Sequence, residues 1–214
     1  MNDITIIGTG SMARGLAHRA VAAGRSIQIL AHTERSQAEA LAAEVGGTAT
    51  AGILGDAVEG SIVIPAVPYD AARSVASQYG DGLAGRVYVD ITNPIDTSTF
   101  DGLAVPAGSS AAEELQRITP ATVVKAFNTT FAVTLVPGEV AGHPLDVLIA
   151  GDDDSAVQSV ADFASSAGLN PLKVGPLRRA QQLEQAGLLI ILLAANEGLP
   201  QYGPSMALTF LPGS

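Results

Sequence analysis

The sequence of 214 residues contains no cysteine. This absence excludes disulfide scaffolds, thiol nucleophiles, zinc ribbons and iron–sulfur clusters, because all of them depend on cysteine sulfur. Basic residues are also scarce: 11 Lys and Arg are outnumbered by 21 Asp and Glu, which gives a formal net charge of -10. Binding to nucleic acid needs clustered cations that neutralise phosphates, so we expect no nucleic-acid partner.

The sequence also lacks an apolar run long enough to cross a bilayer. The most apolar run, AGLLIILLAA at 186–195, has about half of the ~20 residues that a transmembrane helix requires. The chain starts directly with the strand-like DITIIGTG, without the basic and apolar regions of a secretory signal. We therefore expect a cytoplasmic protein with no membrane partner.

Short apolar runs alternate with amphipathic patterns along the chain. The runs that predict strands are ITIIG (4–8), SIQIL (26–30), SIVIPAV (61–67), GRVYVDI (85–91), ATVVKAF (121–127) and LDVLIAG (145–151). Continuous apolar strands are typical of a parallel sheet covered on both faces. Since helical spacing follows several of them, the pattern predicts an α/β fold with a doubly wound (Rossmann), mostly parallel sheet.

The last part of the chain predicts a helical extension. We expect a Rossmann domain over residues 1–178, and a C-terminal helix of about twenty residues with a tail over 179–214. The segment LLIILLAA is apolar on every side of a helix, so it must pack in its own core or against another subunit. We therefore expect a homodimer in which this helix covers the neighbouring site. The turn-rich stretch 92–111 predicts a long loop with a functional role.

The first strand is followed directly by GTGSMA, a G-x-G-x-x-A pattern formed by Gly8, Gly10 and Ala13. It opens an amphipathic helix, which is the context that a dinucleotide-binding turn requires. Gly8 allows the tight turn and Gly10 lets the backbone approach a pyrophosphate. Free N–H groups at the start of the helix would then bind the phosphates.

The end of the second strand carries no carboxylate. Sites for NAD usually place Asp or Glu there to bind the ribose hydroxyls, whereas this chain has Ala31. Hydroxyl and cationic donors that could hold a 2′-phosphate follow it: His32, Thr33, Arg35 and Ser36. The pattern therefore favours NADP(H) over NAD(H), with Glu34 as the discordant residue.

Several motifs resemble those of the coenzyme F420-dependent NADP oxidoreductase family. They are IIGTGSMARGLA, AVPYDA, VDITNPI, VVKAFNTTFA, AGDDDSA and VGPLRRAQQLEQAG, and they extend over nearly the whole chain. The reductase domains of mammalian transmembrane ferric reductases share the same plan. The chain departs from the family after the second strand, where His32-Thr33-Glu34 stands in place of the usual Arg-containing pair.

The resemblance implies which residues contact the cofactor. Thr9, Ser11 and Met12 would line the pyrophosphate turn. Ala66, Val67 and Pro68 would pack beside the ribose and nicotinamide. Asn93-Pro94 and Ala126 to Asn128 would border the face where the hydride is transferred.

The residues themselves identify no catalytic side chain, because hydride transfer between two stacked rings needs none. Asn128, Thr129 and Thr130 either orient an acceptor ring or carboxamide, or only satisfy the loop backbone. The acceptor remains open among coenzyme F420, a flavin, a quinone, a ferric ion and a small carbonyl compound, and a non-catalytic NADP(H) sensor is an alternative. We expect no metal site, since Asp152–Asp154 are more simply explained as helix N-capping residues.

Overall fold

The structure is a computed structural model that describes residues 2–211 and 213. Its strands are β1 (Ile4–Ile7), β2 (Ile27–Ala31), β3 (Thr50–Ile53), β4 (Ile62–Pro65), β5 (Val87–Asp90), β6 (Thr122–Lys125), β7 (Glu139–Val140), β8 (His143–Pro144), β9 (Asp146–Gly151) and β10 (Asn170–Gly175). The helices are α1 (Ser11–Ala22), α2 (Arg35–Val45), α3 (Tyr69–Tyr79), α4 (Ala111–Gln116), α5 (Ala132–Leu135), α6 (Asp154–Ser166) and α7 (Ala180–Ala194). Two short 3₁₀ turns lie at Gly80–Leu83 and Leu177–Arg179.

Eight strands form one sheet in the order β10-β9-β6-β5-β4-β1-β2-β3. Strands β1 to β6 run parallel, β9 pairs antiparallel with β6, and β10 is parallel to β9. The doubly wound, mostly parallel fold is therefore confirmed. The strand order reverses between β1 and β4, and folds of this type bind ligands at the carboxyl ends of the strands beside such a reversal.

The central strands of the sheet are buried on both faces. Alternate residues of a strand point to opposite faces, so Ile6 joins the core under α1, α2 and α6, whereas Ile7 joins the core under α3 and α4. A strand buried on both sides has no polar face, which is why the sequence shows continuous apolar runs rather than alternation.

Three details differ from the expectations. The edge strand β3 was not predicted, because it is short, partly exposed and interrupted by Gly52. The loop after β5 ends at Ser110, whose hydroxyl caps α4 by accepting from the N–H of Glu113 (3.2 Å). The last helix has 15 residues rather than about twenty, because a 3₁₀ turn precedes it.

Within residues 2–211 and 213, no helix has the length and apolarity needed to cross a lipid bilayer. The acidic stretch after β9 caps helices, as expected. Asp153 accepts a hydrogen bond from the N–H of Ala156 (2.8 Å) at the start of α6, and Asp152 accepts one from the N–H of Leu177 (2.9 Å). These carboxylates therefore serve the backbone.

Candidate functional site

A cleft of about 720 Å³ opens where the strand order reverses. Three segments line it: residues 10–12 after β1, 66–70 after β4 and 91–97 after β5. Phe100 and Ala104 of the loop before α4 complete the wall. We call this space the switch-point cleft. Its position at the carboxyl ends of parallel strands is the one at which doubly wound folds bind nucleotides.

The turn after β1 is shaped by two glycines. Gly8 has a φ of 119°, and a Cβ built on it would lie 2.6 Å from the carbonyl oxygen of Ala66, so a side chain is excluded on both grounds. Gly10 precedes α1, and a Cβ there would meet no atom within 4 Å among the described residues. Because Gly10 lines the cleft, a side chain there would occupy space that a ligand could use.

The first turn of α1 lines the switch-point cleft. In the part of the chain that the structure describes, no side chain caps this helix, and its first turn holds no acidic residue. The amino end of a helix carries a partial positive charge and up to four N–H groups without helical partners. Together with the absence of a carboxylate, these groups form a site suited to phosphate.

The predicted donor side chains after β2 are exposed, but one of them, Arg35, already forms hydrogen bonds. His32 and Thr33 are exposed. The guanidinium of Arg35 donates to Asp56 Oδ2 (2.8 Å) and to the carbonyl oxygen of Ala51 (3.1 Å). A hydrogen bond from the N–H of Ile53, together with the Arg35 charge, lowers the pKa of Asp56. Arg35 is thus held by an ionised partner at the end of β3.

A second, apolar space of about 280 Å³ lies between the ends of β5 and β6 and the inner side of α7. Its lining includes Phe127, Phe131, Ile190 and Ile191. We call it the α7 pocket. It adjoins the switch-point cleft through three residues that line both spaces: Met12, Ile91 and Asn93.

Two asparagine side chains join β5, β6 and α7 beside this pocket. Asn93 donates to the carbonyl oxygen of Asn128 (2.7 Å), and the Asn128 amide donates to Asn93 Oδ1 (2.9 Å) and to the carbonyl oxygen of Leu183 (2.7 Å). Gly187 lets α7 approach this pair, since a methyl group built there would overlap the Asn93 side chain. Within the described residues, the buried Oδ1 of Asn128 and Oγ1 of Thr130 accept or donate no hydrogen bond.

Three fully buried charged residues connect the strands and helices around the α7 pocket. Lys125 Nζ contacts Asp90 Oδ2 (2.7 Å), Glu184 Oε1 (2.8 Å) and the carbonyl oxygen of Thr92 (2.6 Å). Glu184 also accepts from the N–H of Ala111 (3.0 Å) at the start of α4. Burial raises the pKa of Glu184, and the Lys125 charge opposes this rise. The cluster joins β5, β6, α4 and α7, so Lys125 is a structural partner.

The backbone at Phe127 is strained. Its φ of 61° lies in the left-handed region, where a bulky residue is rare. The ring is completely buried and packs against Phe163 with centroids 5.9 Å apart. Strained residues of this kind concentrate at functional sites, and Phe127 lines the α7 pocket.

Comparison with known proteins agrees with this geometry. The family model described as NADP oxidoreductase, coenzyme F420-dependent, matches residues 3–94. An F420-dependent NADP reductase from Methanothermobacter thermautotrophicus is 30% identical over 208 residues, which cover 89% of this chain and 88% of that protein. This chain belongs to the coenzyme F420-dependent NADP oxidoreductase family. The resemblance seen in the sequence is therefore confirmed.

Two further comparisons extend the match. The metalloreductase STEAP3 of Rattus norvegicus is 31% identical over 189 residues, which cover 88% of this chain but only 37% of that protein. The chain thus spans just over a third of this relative. A crystal structure from Arthrobacter sp. FB24, of a protein proposed to be an F420-dependent NADP reductase, gives a TM-score of 0.79 at 26% identity and covers 97% of this chain and 100% of that chain.

The predicted site residues fall into three groups. Those that line the switch-point cleft are Gly10, Ser11, Met12, Ala66, Val67, Pro68, Asn93 and Pro94. Asn128 lines the α7 pocket. Gly8 shapes the turn after β1, and the hydroxyl of Thr9, beside that turn, donates to the Gln37 side chain (3.1 Å). His32, Thr33 and Arg35 line neither the cleft nor the pocket. Ala126 is buried in the core, and the next residue, Phe127, lines the α7 pocket in its place.

Some lining residues were not predicted. Tyr69 and Asp70 lie at the start of α3 and face the cleft; they directly follow the predicted Pro68, so continuing that segment by two residues would have found them. Gly187 and Ile190 come from α7, far along the chain. An apolar helix pattern indicates burial but not what the helix covers, so the sequence held no local signal for these two.

Proposed function

We propose that this protein transfers a hydride between NADP(H), bound in the switch-point cleft, and a second redox acceptor, with coenzyme F420 as the acceptor. The observation that carries the proposal is the junction of two unlike spaces, one lined by free backbone donors and one apolar. Met12, Ile91 and Asn93 line both of them. Two ligands could therefore meet at this junction.

The residues of the cleft fit a dinucleotide diphosphate. The uncapped first turn of α1 supplies N–H donors, and Gly10 leaves room for a close approach. No carboxylate stands at the end of β2, where Ala31 is buried, so a 2′-phosphate meets no negative charge from that position. These features support NADP(H) as the nucleotide.

When bound, the nicotinamide supplies the hydride chemistry. The chain would hold the two ligands and exclude water from the junction, which is the main requirement of such a transfer. Met12 and Ile91 provide apolar walls. Asn128 lines the pocket, and its amide group, which donates to Asn93 and to the carbonyl oxygen of Leu183, would hold the polar part of the pocket wall in place.

We further propose that residues 179–214 complete the site and that the protein works as a cytoplasmic homodimer without a nucleic-acid partner. The outer side of α7 supports the dimer, because the Leu189 and Leu192 side chains are 68% and 40% exposed. Light scattering over micromolar concentrations tests it. A monomeric mass throughout would contradict the dimer.

A reductase that acts on another acceptor is the second candidate. It is favoured by the rat metalloreductase, which is 31% identical to this chain. The experiment is to mix the protein with NADPH and to follow the nicotinamide absorbance while F420, FMN, a quinone and a ferric chelate are offered in turn. Oxidation with F420 alone supports the proposal, and oxidation with another acceptor supports the second candidate. Tight NADPH binding without any oxidation would indicate a sensor and overturn both.

The nucleotide preference has a separate test. NADPH and NADH are titrated against the protein by fluorescence. Loss of the charge-assisted hydrogen bonds to the 2′-phosphate should weaken NADH binding by about 1.5–3 kcal/mol relative to NADPH. Equal affinities would contradict the preference for NADP(H).

A further inference from the structure

We propose that Asp56 is a specificity-determining residue, which weakens the recognition of a 2′-phosphate by competing for Arg35. The inference rests on the proposed NADP(H) function. It concerns the degree of preference between the two nicotinamide nucleotides, which the fold alone does not determine. Its basis is the ion pair between α2 and the turn after β3.

Both terminal nitrogens of Arg35 are already bonded. Nη2 donates to Asp56 Oδ2 (2.8 Å) and Nη1 donates to the carbonyl oxygen of Ala51 in β3 (3.1 Å). Both acceptors belong to β3 or to the turn that follows it, so the guanidinium is drawn toward β3 rather than toward the end of β2. Two of its five N–H donors are used in this way, and the other three can reach a phosphate only from the position in which these bonds hold the guanidinium.

The position of Asp56 is fixed rather than adaptable. Its carboxylate also accepts from the N–H of Ile53 (3.0 Å). Its carbonyl oxygen accepts from the hydroxyl of Tyr79 in α3 (3.1 Å), and that hydroxyl accepts from the N–H of Gly55 (3.0 Å). The carboxylate thus has one partner besides Arg35, and the backbone of Asp56 is held by Tyr79, so Asp56 loses little conformational freedom when it binds Arg35.

The local charge balance makes this competition important. Arg35 is the sole Lys or Arg within residues 26–37, the segment that contains β2 and the start of α2. A 2′-phosphate would bring additional negative charge to this place, where the carboxylate of Asp56 neutralises the cation and Glu34 adds further negative charge. NADH lacks the 2′-phosphate, so Asp56 should leave its binding unchanged.

The opposite interpretation makes the opposite prediction. If Asp56 held Arg35 in a productive orientation, its removal would weaken NADPH binding. The geometry favours competition, because the guanidinium has its bonds on the side of β3. The sign of the change therefore distinguishes the two interpretations.

The experiment measures the dissociation constants of NADPH and NADH for Asp56→Asn, Arg35→Ala and the double variant. Asparagine keeps the size of the side chain and an oxygen that can accept from Ile53. We expect Asp56→Asn to bind NADPH roughly fivefold more tightly, the upper range for an exposed ion pair, and NADH unchanged. In the Arg35→Ala background the same change should have little effect, since the two residues act through one contact.

A matched control is Asp162→Asn, which removes one negative charge from the exposed side of α6 at the other end of the sheet. It should leave both affinities unchanged. Thermal unfolding checks that each variant folds, and Asp56→Ser is the second variant if Asp56→Asn does not.

Three results would overturn the inference. If Asp56→Asn binds NADPH as tightly as the wild type or more weakly, Asp56 does not compete for Arg35. A gain of the same size in the Arg35→Ala background, or in Asp162→Asn, would show a general charge effect instead. Failure of the wild-type protein to bind either nucleotide would overturn the proposed function, and the role of Asp56 with it, so the two failures are distinguishable.

Discussion

The switch-point cleft and the α7 pocket share three lining residues but are formed by different kinds of interaction. The cleft is made largely of backbone, with two glycines and the uncapped start of α1. The α7 pocket rests on a buried cluster of Lys125, Asp90 and Glu184 and on a strained backbone at Phe127. The cleft needs few side-chain contacts to keep its shape, because its N–H donors belong to the backbone of α1. The pocket depends on side chains that must all be present, because a buried charge without its partner is costly.

This difference predicts how the two regions respond to substitution. Changes in the cleft should remove ligand binding and leave the fold intact. Changes beneath the α7 pocket should lower stability before they affect any ligand.

The largest effect is expected for Lys125→Met, which leaves the carboxylates of Asp90 and Glu184 buried without their cation. Breaking a buried pair in this way typically costs about 3–5 kcal/mol of unfolding free energy. Denaturant unfolding measures it. The control is Lys173→Met, which makes the same change at an exposed position of β10 and should cost little. Similar stabilities for the two variants would remove the contrast between the regions.

The next effect is expected for Gly10→Val, and it concerns binding alone. A Cβ at this position meets no described atom within 4 Å, so stability should stay close to that of the wild type. The side chain would occupy the cleft where the diphosphate has to approach, and NADPH binding should weaken by at least tenfold, about 1.4 kcal/mol. Gly82→Val, in an open 3₁₀ turn, is the control and should keep both properties. Undiminished NADPH binding by Gly10→Val would place the nucleotide elsewhere.

Gly187→Ala tests the junction between the two regions. The added methyl group overlaps the Asn93 side chain, so either α7 or that side chain must shift, and such overpacking typically costs about 1–3 kcal/mol. We expect turnover with the acceptor to fall more than NADPH binding, because α7 borders only the pocket and, of the groups affected, Asn93 alone also lines the cleft. Titration and steady-state assays on one preparation separate the two. Loss of NADPH binding with unchanged stability would show that α7 belongs to the cleft instead.

The smallest effect is a dependence on pH that comes from Glu184. Burial raises the pKa of this carboxyl above its usual value, so at pH values between the two the folded protein retains a proton that the unfolded chain has released. The associated stability is fully present below the usual value of 4.5 and is lost as the pH rises through the raised value. Unfolding free energies measured against pH should therefore fall more steeply for the wild type than for Glu184→Gln. The exposed control Glu39→Gln should follow the wild type, and parallel curves for all three would contradict the raised pKa.

The sequence predicted the cleft better than the pocket for a physical reason. The turn after β1 is local, since Gly8, Gly10 and the start of α1 are adjacent and their spacing can be read directly from the sequence. The cluster beneath the pocket joins Asp90, Lys125 and Glu184, which are separated by 35 and 59 residues, so no spacing rule could connect them. The positive φ of Phe127 is likewise set by tertiary packing.

The contacts at the end of β2 could be predicted from the sequence only in part. The missing carboxylate at Ala31 and the presence of Arg35 were visible in the sequence. The partner of Arg35 was not, because Asp56 follows a strand that the sequence did not predict. One missed edge strand thus concealed the contact that we propose to influence nucleotide preference.

The most direct test of the central claim is a crystal structure of the protein with NADP⁺. We expect the diphosphate within hydrogen-bond distance of the backbone N–H groups at the start of α1, and the nicotinamide beside Met12 and Asn93 at the junction of the two spaces. A nucleotide bound elsewhere, or a first turn of α1 that contacts no phosphate, would contradict it.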